Sequence, residues 1–216
     1  MMLLFPPIGY LSVKKLLITA FEPYGNWSTN VSQLIVQQLV ERASDLPPFR
    51  SIVLPVEYCE CYQQLTETLT EPWGFMLHLG QSPGSTVIAL EQFAINQKSI
   101  ETEPAELDES GPAAFRSRLP LEQWSTKIQE NDIPCEVSCH AGTYLCNAVY
   151  YWSSQAAEQT GNPASSLFVH VPFATEQIMS IPGKTPASLP INMLADAVVI
   201  LLNEISQLEN SEVNLA

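Results

Sequence analysis

Short apolar runs of strand length alternate along this chain with segments of helical period, and that alternation limits its fold more than any other feature. Lys15 to Phe21 (KLLITAF), Ser51 to Val56, Phe75 to Leu79 (FMLHL), Val87 to Ala94, Glu136 to Ser138 and Leu167 to Val171 (LFVHV) read as strands. Asn30 can cap a helix that runs to about Ala43, with Val31, Leu34, Ile35 and Leu39 on its apolar face. Tyr58 to Thr70, Leu121 to Asn131, Tyr144 to Gln159 and Pro190 to Leu208 follow as helices, the last with Pro in its first turn. Residues 100 to 112 are acidic and rich in Pro and Gly, which predicts a loop. Such alternation predicts an α/β protein with a mostly parallel central sheet covered on both faces, and ligands sit at the carboxyl ends of the strands of such sheets. No repeat or linker divides the chain. Its 216 residues fit one domain, 15 to 216, after an N-terminal extension, 1 to 14.

Charge narrows the partners. There are 23 acidic against 9 basic residues, a formal charge of −14. Such a surface repels phosphate backbones and anionic lipid, so neither nucleic acid nor a membrane is expected as a partner. Five cysteines, an odd count in a chain of this length, read as reduced thiols and hence as a cytoplasmic protein. The N-terminal MMLLFPPIGYLSVKK is apolar, but its Lys pair follows the apolar run, Pro6-Pro7 interrupts it, and no small-residue cleavage site comes after it. A tail or an upstream start accounts for it better than a signal peptide. No stretch is read as long enough for a transmembrane helix.

Three residues can carry chemistry. Cys146 lies in SCHAGTYLCNAVYYW, where Ala141-Gly142-Thr143 forms a turn between a strand and a helix. That places the thiol in the first helical turn, beside free N–H groups whose positive field favours a thiolate and can stabilise an oxyanion. A small buried hydrophobe is the ordinary alternative for one cysteine among five. His170 is a polar residue inside an apolar strand, just before Pro172. A hydrogen-bonded core histidine is its ordinary role, but in an α/β sheet this strand end can lie beside the start of the Cys146 helix, making a Cys–His pair. Glu91 is an acid within an apolar run. It can orient His170 as the third member of a triad, or face water from an edge strand. Phe21 and Tyr24, at the end of the first strand, can wall an apolar pocket. Cys135, Cys139, His140 and Cys146 are close in sequence, but their spacing matches no structural zinc pattern, so no metal is expected.

With these segments assembled, the chain resembles the pyroglutamyl peptidase I family, also called pyrrolidone-carboxylate peptidases. The similarity runs from about Lys15 to the closing helix through ITAFEPYGNWSTNVS, LHLGQSPGSTVIALEQFAIN, SGPAAFRSRLP, VSCHAGTYLCNAVYYW and LFVHVPFATEQ, in family order. AGTYLCN and HVPF, with the cysteine and histidine 24 positions apart, are the most specific segments. The resemblance implies a three-layer α/β/α sandwich and a thiol exopeptidase that removes N-terminal pyroglutamate from peptides without metal or cofactor. It implies Cys146 as nucleophile, His170 as base and then acid, and Glu91 as the residue orienting the imidazole. Phe21 and Tyr24 then flank the lactam ring, the main chain of Gln81 faces it, and Tyr144 and Leu145 complete the substrate-binding set. Assembly as a homo-oligomer, dimer or tetramer, is also open. The chain departs from the family pattern around Glu91. Ser85 stands where most members carry Arg, Ala89 replaces a hydroxyl residue and Gln92 a basic one. Val31 follows Asn30 in place of Pro, and His140 replaces a small residue. These departures motivate two alternatives: a Cys–His amidohydrolase with another N-terminal acyl substrate, or a non-catalytic peptide-binding relative.

Overall fold

The computed structural model describes residues 15–100, 103–162, 165–179 and 186–213; the N-terminal extension read from the sequence lies outside them. In chain order the elements are β1 (Leu16–Phe21), α1 (Val31–Glu41), β2 (Phe49–Leu54), α2 (Tyr58–Leu69), β3 (Phe75–Gln81), β4 (Ile88–Glu91), β5 (Phe93–Ile95), β6 (Lys98–Ile100) and β7 (Glu103–Ala105). Then come β8 (Ala114–Arg116), α3 (Leu121–Gln129), β9 (Cys135–Ser138), α4 (Leu145–Gln159), β10 (Ser166–Val171), β11 (Phe173–Ala174), α5 (Thr175–Ile178), β12 (Ser188–Leu189) and α6 (Ile191–Val213).

The main sheet has the strand order β2-β1-β3-β10-β4-β9. The β1, β3 and β10 strands are buried on both faces nearly throughout, as the continuous apolar runs require. Their period of two sorts side chains between the layers. Ile18, Leu77, Leu90 and Val169 join α1, α3 and α6 in one core. Phe21 and Phe168 face the other way and pack with Leu65 of α2 and Val149 of α4. The chain is therefore the three-layer sandwich expected.

Strand direction adds a feature that the apolar pattern cannot carry. Every pairing in the main sheet is parallel except β10 with β4, so β4 and β9 run against the other four strands. Glu91, at the end of β4, therefore comes to lie opposite Phe168, alongside the body of β10.

Four expectations need correction. The run Val87 to Ala94 is not one strand: it breaks at Gln92, whose N–H donates to Ser138 O (2.8 Å), and β5 leaves the main sheet to pair with β8. The stretch read as a loop from 100 to 112 contains part of an antiparallel ribbon, β6 with β7. The last helix runs on to Val213, and its first free N–H, that of Ile191, is capped by Glu176 Oε2 at 3.0 Å. Finally, Ile191–Leu208 is long and apolar enough to cross a membrane by composition. Its Leu194, Val198, Leu201, Leu202 and Ile205 are instead buried in the core against α1 and α3.

Candidate active site

The loop before α4 determines where Cys146 sits. Gly142 takes φ +76°, a left-handed conformation that costs glycine little. His140 Nδ1 accepts the Gly142 N–H at 3.1 Å across this turn. Thr143 O is held by Ser99 N–H (2.8 Å) and by the Tyr58 hydroxyl (3.3 Å). The helix then starts at Leu145 with no side-chain cap, which makes Cys146 its second residue, in the turn where N–H groups lack partners. Asn147 anchors this turn from below. Fully buried, it donates to Ile95 O and Gln97 O (2.8 Å each) and accepts the Ile95 N–H (2.9 Å).

His170 and Glu91 approach from the sheet. His170 pairs with Ala89, so Glu91, two residues on, shares its face diagonally. His170 Nδ1 lies 2.7 Å from Glu91 Oε1. Glu91 is 2% exposed, and the Tyr150 hydroxyl donates to its main-chain oxygen at 3.1 Å. Its second carboxylate oxygen has no hydrogen-bond partner among the described residues. With Nδ1 turned to Glu91, Nε2 is the ring nitrogen left for Cys146. Burial pushes the imidazole pKa down. The Cys146 charge and hydrogen bond, with the hydrogen bond and charge of Glu91, outweigh burial and bring it up to about 10. An imidazolium persisting at neutral pH is the partner a nucleophilic thiolate needs.

Gly80 makes the approach possible. A Cβ there would meet the Phe168 ring at 2.6 Å and Cys146 Sγ at 3.1 Å. The strand must therefore carry glycine where it passes beneath the thiol.

One cavity of about 440 Å³ is lined by all eight residues singled out from the sequence, Phe21, Tyr24, Gln81, Glu91, Tyr144, Leu145, Cys146 and His170. Phe21 and Leu145 are almost wholly buried, whereas Tyr144 is half exposed and stacks edge-on against Tyr58 (5.5 Å). Burial raises the Tyr24 phenol above its usual range. The Gln81 amide faces the Tyr24 hydroxyl at 3.5 Å, and its oxygen accepts from Val31 N–H (3.1 Å) and Gln177 Nε2 (2.9 Å). Gln177 also donates to Thr29 O (2.8 Å), tying the β3 end to the start of α1. Among the described residues no group of three or more His, Cys, Asp or Glu side chains is placed to hold a metal.

A family model described as pyroglutamyl peptidase matches residues 14–208, nearly the whole chain and every residue of this site. The chain belongs to the pyroglutamyl peptidase family. It is 34% identical over 202 residues to the pyrrolidone-carboxylate peptidase of Pyrococcus furiosus, a match covering 87% of this chain and 96% of that one. It is 30% identical to that of Coprothermobacter proteolyticus, over 90% of this chain and 98% of the relative. Among solved structures, the pyrrolidone carboxyl peptidase of Fervidobacterium islandicum AW-1 superposes with a TM-score of 0.82 at 32% identity, covering 90% of this chain and 99% of that one. In this member of the pyroglutamyl peptidase family, Asn147, Gly80, Tyr150 and Gln177 support the site without having been singled out from the sequence. Asn147 had a signal, a polar residue on an otherwise buried helix face. Gln177 follows HVPF closely but shows its use only once its partners on β3 and the Thr29 loop are known.

Proposed function

We propose that this chain is a cysteine exopeptidase that hydrolyses the bond after an N-terminal pyroglutamyl residue in peptides. The observation that carries this reading is the hydrogen-bonded series Cys146, His170, Glu91 in a cavity walled by Phe21 and Tyr24. The lactam of pyroglutamate is neutral, so aromatic walls and main-chain polar groups suit it better than a carboxylate placed for an ammonium group. Phe21 and Tyr24 supply such walls beside Gln81. The thiolate of Cys146 attacks the pyroglutamyl carbonyl carbon, and the N–H groups of the first turn of α4 face the oxygen that gains charge. His170 gives its Nε2 proton to the departing amine as the C–N bond breaks, leaving an acyl-thioester. His170 then takes a proton from water, whose oxygen attacks the thioester. The C–S bond breaks, pyroglutamate leaves, and the thiolate–imidazolium pair is restored. Glu91 holds the imidazole in orientation and offsets its charge.

The same reading takes residues 15 to 216 as one domain. The five cysteines are free, which supports a reducing, cytoplasmic location. Release of a fluorophore from a pyroglutamyl amide in reducing buffer tests the proposal. Turnover by the wild type and its loss, by roughly a thousandfold or more, in Cys146→Ser are expected. No turnover by well-folded wild-type protein would contradict it.

A further inference from the structure

The cavity continues past His170 on the side away from Phe21 and Tyr24. In-register pairing sets His170 beside Ala89 and Ala89 beside Glu136. These three side chains share the face that α2 and α4 cover. Neighbouring strands lie about 4.8 Å apart, so the Glu136 Cα is about 10 Å from that of His170. Between them Ala89 contributes only a methyl group, which leaves the floor open from imidazole to carboxylate. Glu136 is exposed, lines the same cavity as Cys146, and its carboxylate has no hydrogen bond or ion pair among the described residues.

Among the described residues that line the cavity, no cationic side chain is bonded to this carboxylate. Ser85 Oγ is turned onto its own backbone, donating to Val87 O (2.7 Å) and accepting the Val87 N–H (3.3 Å). His140 Nδ1 is occupied by the Gly142 N–H of its own turn, at 3.1 Å. Among the described residues no Lys or Arg lines the cavity. The direction of the substrate follows from the acyl side. An acyl group held by Phe21 and Tyr24, with its carbonyl over Cys146, sends the departing amine past His170 toward β4 and β9.

We propose that Glu136 is a specificity-determining residue, forming with Ala89 and Ser138 a leaving-side subsite that favours a Lys or Arg immediately after the pyroglutamyl group. This assignment rests on the hydrolase reading above. A partly exposed charge pair at this distance favours the basic peptide by roughly three- to fivefold, and salt shrinks the preference.

The test compares kcat/KM for three peptide amides, pyroglutamyl-Lys-Ala, pyroglutamyl-Leu-Ala and pyroglutamyl-Glu-Ala, in wild type, Glu136→Gln and Glu136→Lys. The wild type is expected to prefer the Lys peptide. Glu136→Gln is expected to bring the ratio near one, and Glu136→Lys to shift preference to a pyroglutamyl-Glu-Ala amide. A ratio that Glu136→Gln leaves unchanged overturns the subsite while the hydrolase reading stands. No turnover of any peptide overturns the hydrolase reading, and calorimetric binding of the same amides to Cys146→Ser then decides the subsite. Tighter binding of the Lys peptide, lost on adding Glu136→Gln, supports it; equal affinities overturn it.

Discussion

Two histidines pack against the Phe168 ring, and their surroundings drive them in opposite directions. His78 on β3 lies directly opposite Phe168 and stacks on it at 6.2 Å; His170, two residues along β10, meets the same ring at 4.9 Å. His78 is wholly buried, its Nδ1 is 2.9 Å from the Thr19 hydroxyl, and Nε2 has no partner among the described residues. Burial alone brings its pKa down to about 3. His170 is partly buried, which also lowers its pKa, yet Cys146 and Glu91 carry it the other way, to about 10. Depth alone does not set a histidine's charge. Cys146 and Glu91, both beside the ring, raise the His170 pKa against burial, and the one hydroxyl beside His78 does not do so there.

Removing one of those partners is the strongest way to break the contrast. Glu91→Gln leaves the imidazole oriented by a neutral group and is expected to lower kcat/KM for a pyroglutamyl amide by about a hundredfold or more. It should also change the pH dependence of stability. The His170 pKa in the folded state lies above the unfolded value of about 6.5, so its stabilisation is fully present below that pH and is lost as pH rises through about 10. Chemical denaturation between those limits should show a smaller alkaline loss in Glu91→Gln than in wild type. An unchanged activity would leave Glu91 as a buried acid with no part in the reaction.

Gly80→Ala tests the geometry that brings Cys146 to one histidine and not the other. The new Cβ would push on the Phe168 ring, the neighbour both histidines share, and on Cys146 Sγ. Overpacking of this kind costs about 1–3 kcal/mol, read as a lower urea midpoint, with reduced activity alongside. His78→Asn sharpens the other side of the contrast with the smallest effect. Because the folded pKa of His78 lies below the unfolded one, its stability is present above about pH 6.5 and is lost as pH falls toward about 3. The variant should unfold in acid with a shallower pH dependence while retaining activity; a slope equal to that of the wild type would show that His78 does not remain neutral.

Much of this was readable in the residues. Apolar runs such as LLITAF and LFVHV carry their strands because both faces are buried, and a polar residue inside one, His170 or Glu91, marks a place where burial must be offset by a partner. What the pattern cannot express is direction and distance. Nothing in Ile88–Glu91 says that β4 runs against β10, yet that reversal sets Glu91 beside His170 and Glu136 past Ala89. The ribbon of β6 and β7 is built from three-residue strands in an acidic stretch containing Pro104, too short and polar for a period to appear. His78 and His170 look alike in sequence, each a histidine within an apolar strand. Only the positions of Thr19, Cys146 and Glu91 in space separate them.

That separation can be measured directly by following the ring carbon signals of the histidines by NMR as a function of pH, from about pH 4 to about pH 10. His170 should stay protonated through neutral pH and release its proton only toward about 10, while His78 remains neutral across the range. A His170 signal that titrates near the ordinary value of about 6.5 in the wild-type protein would contradict the thiolate–imidazolium pair on which the mechanism depends.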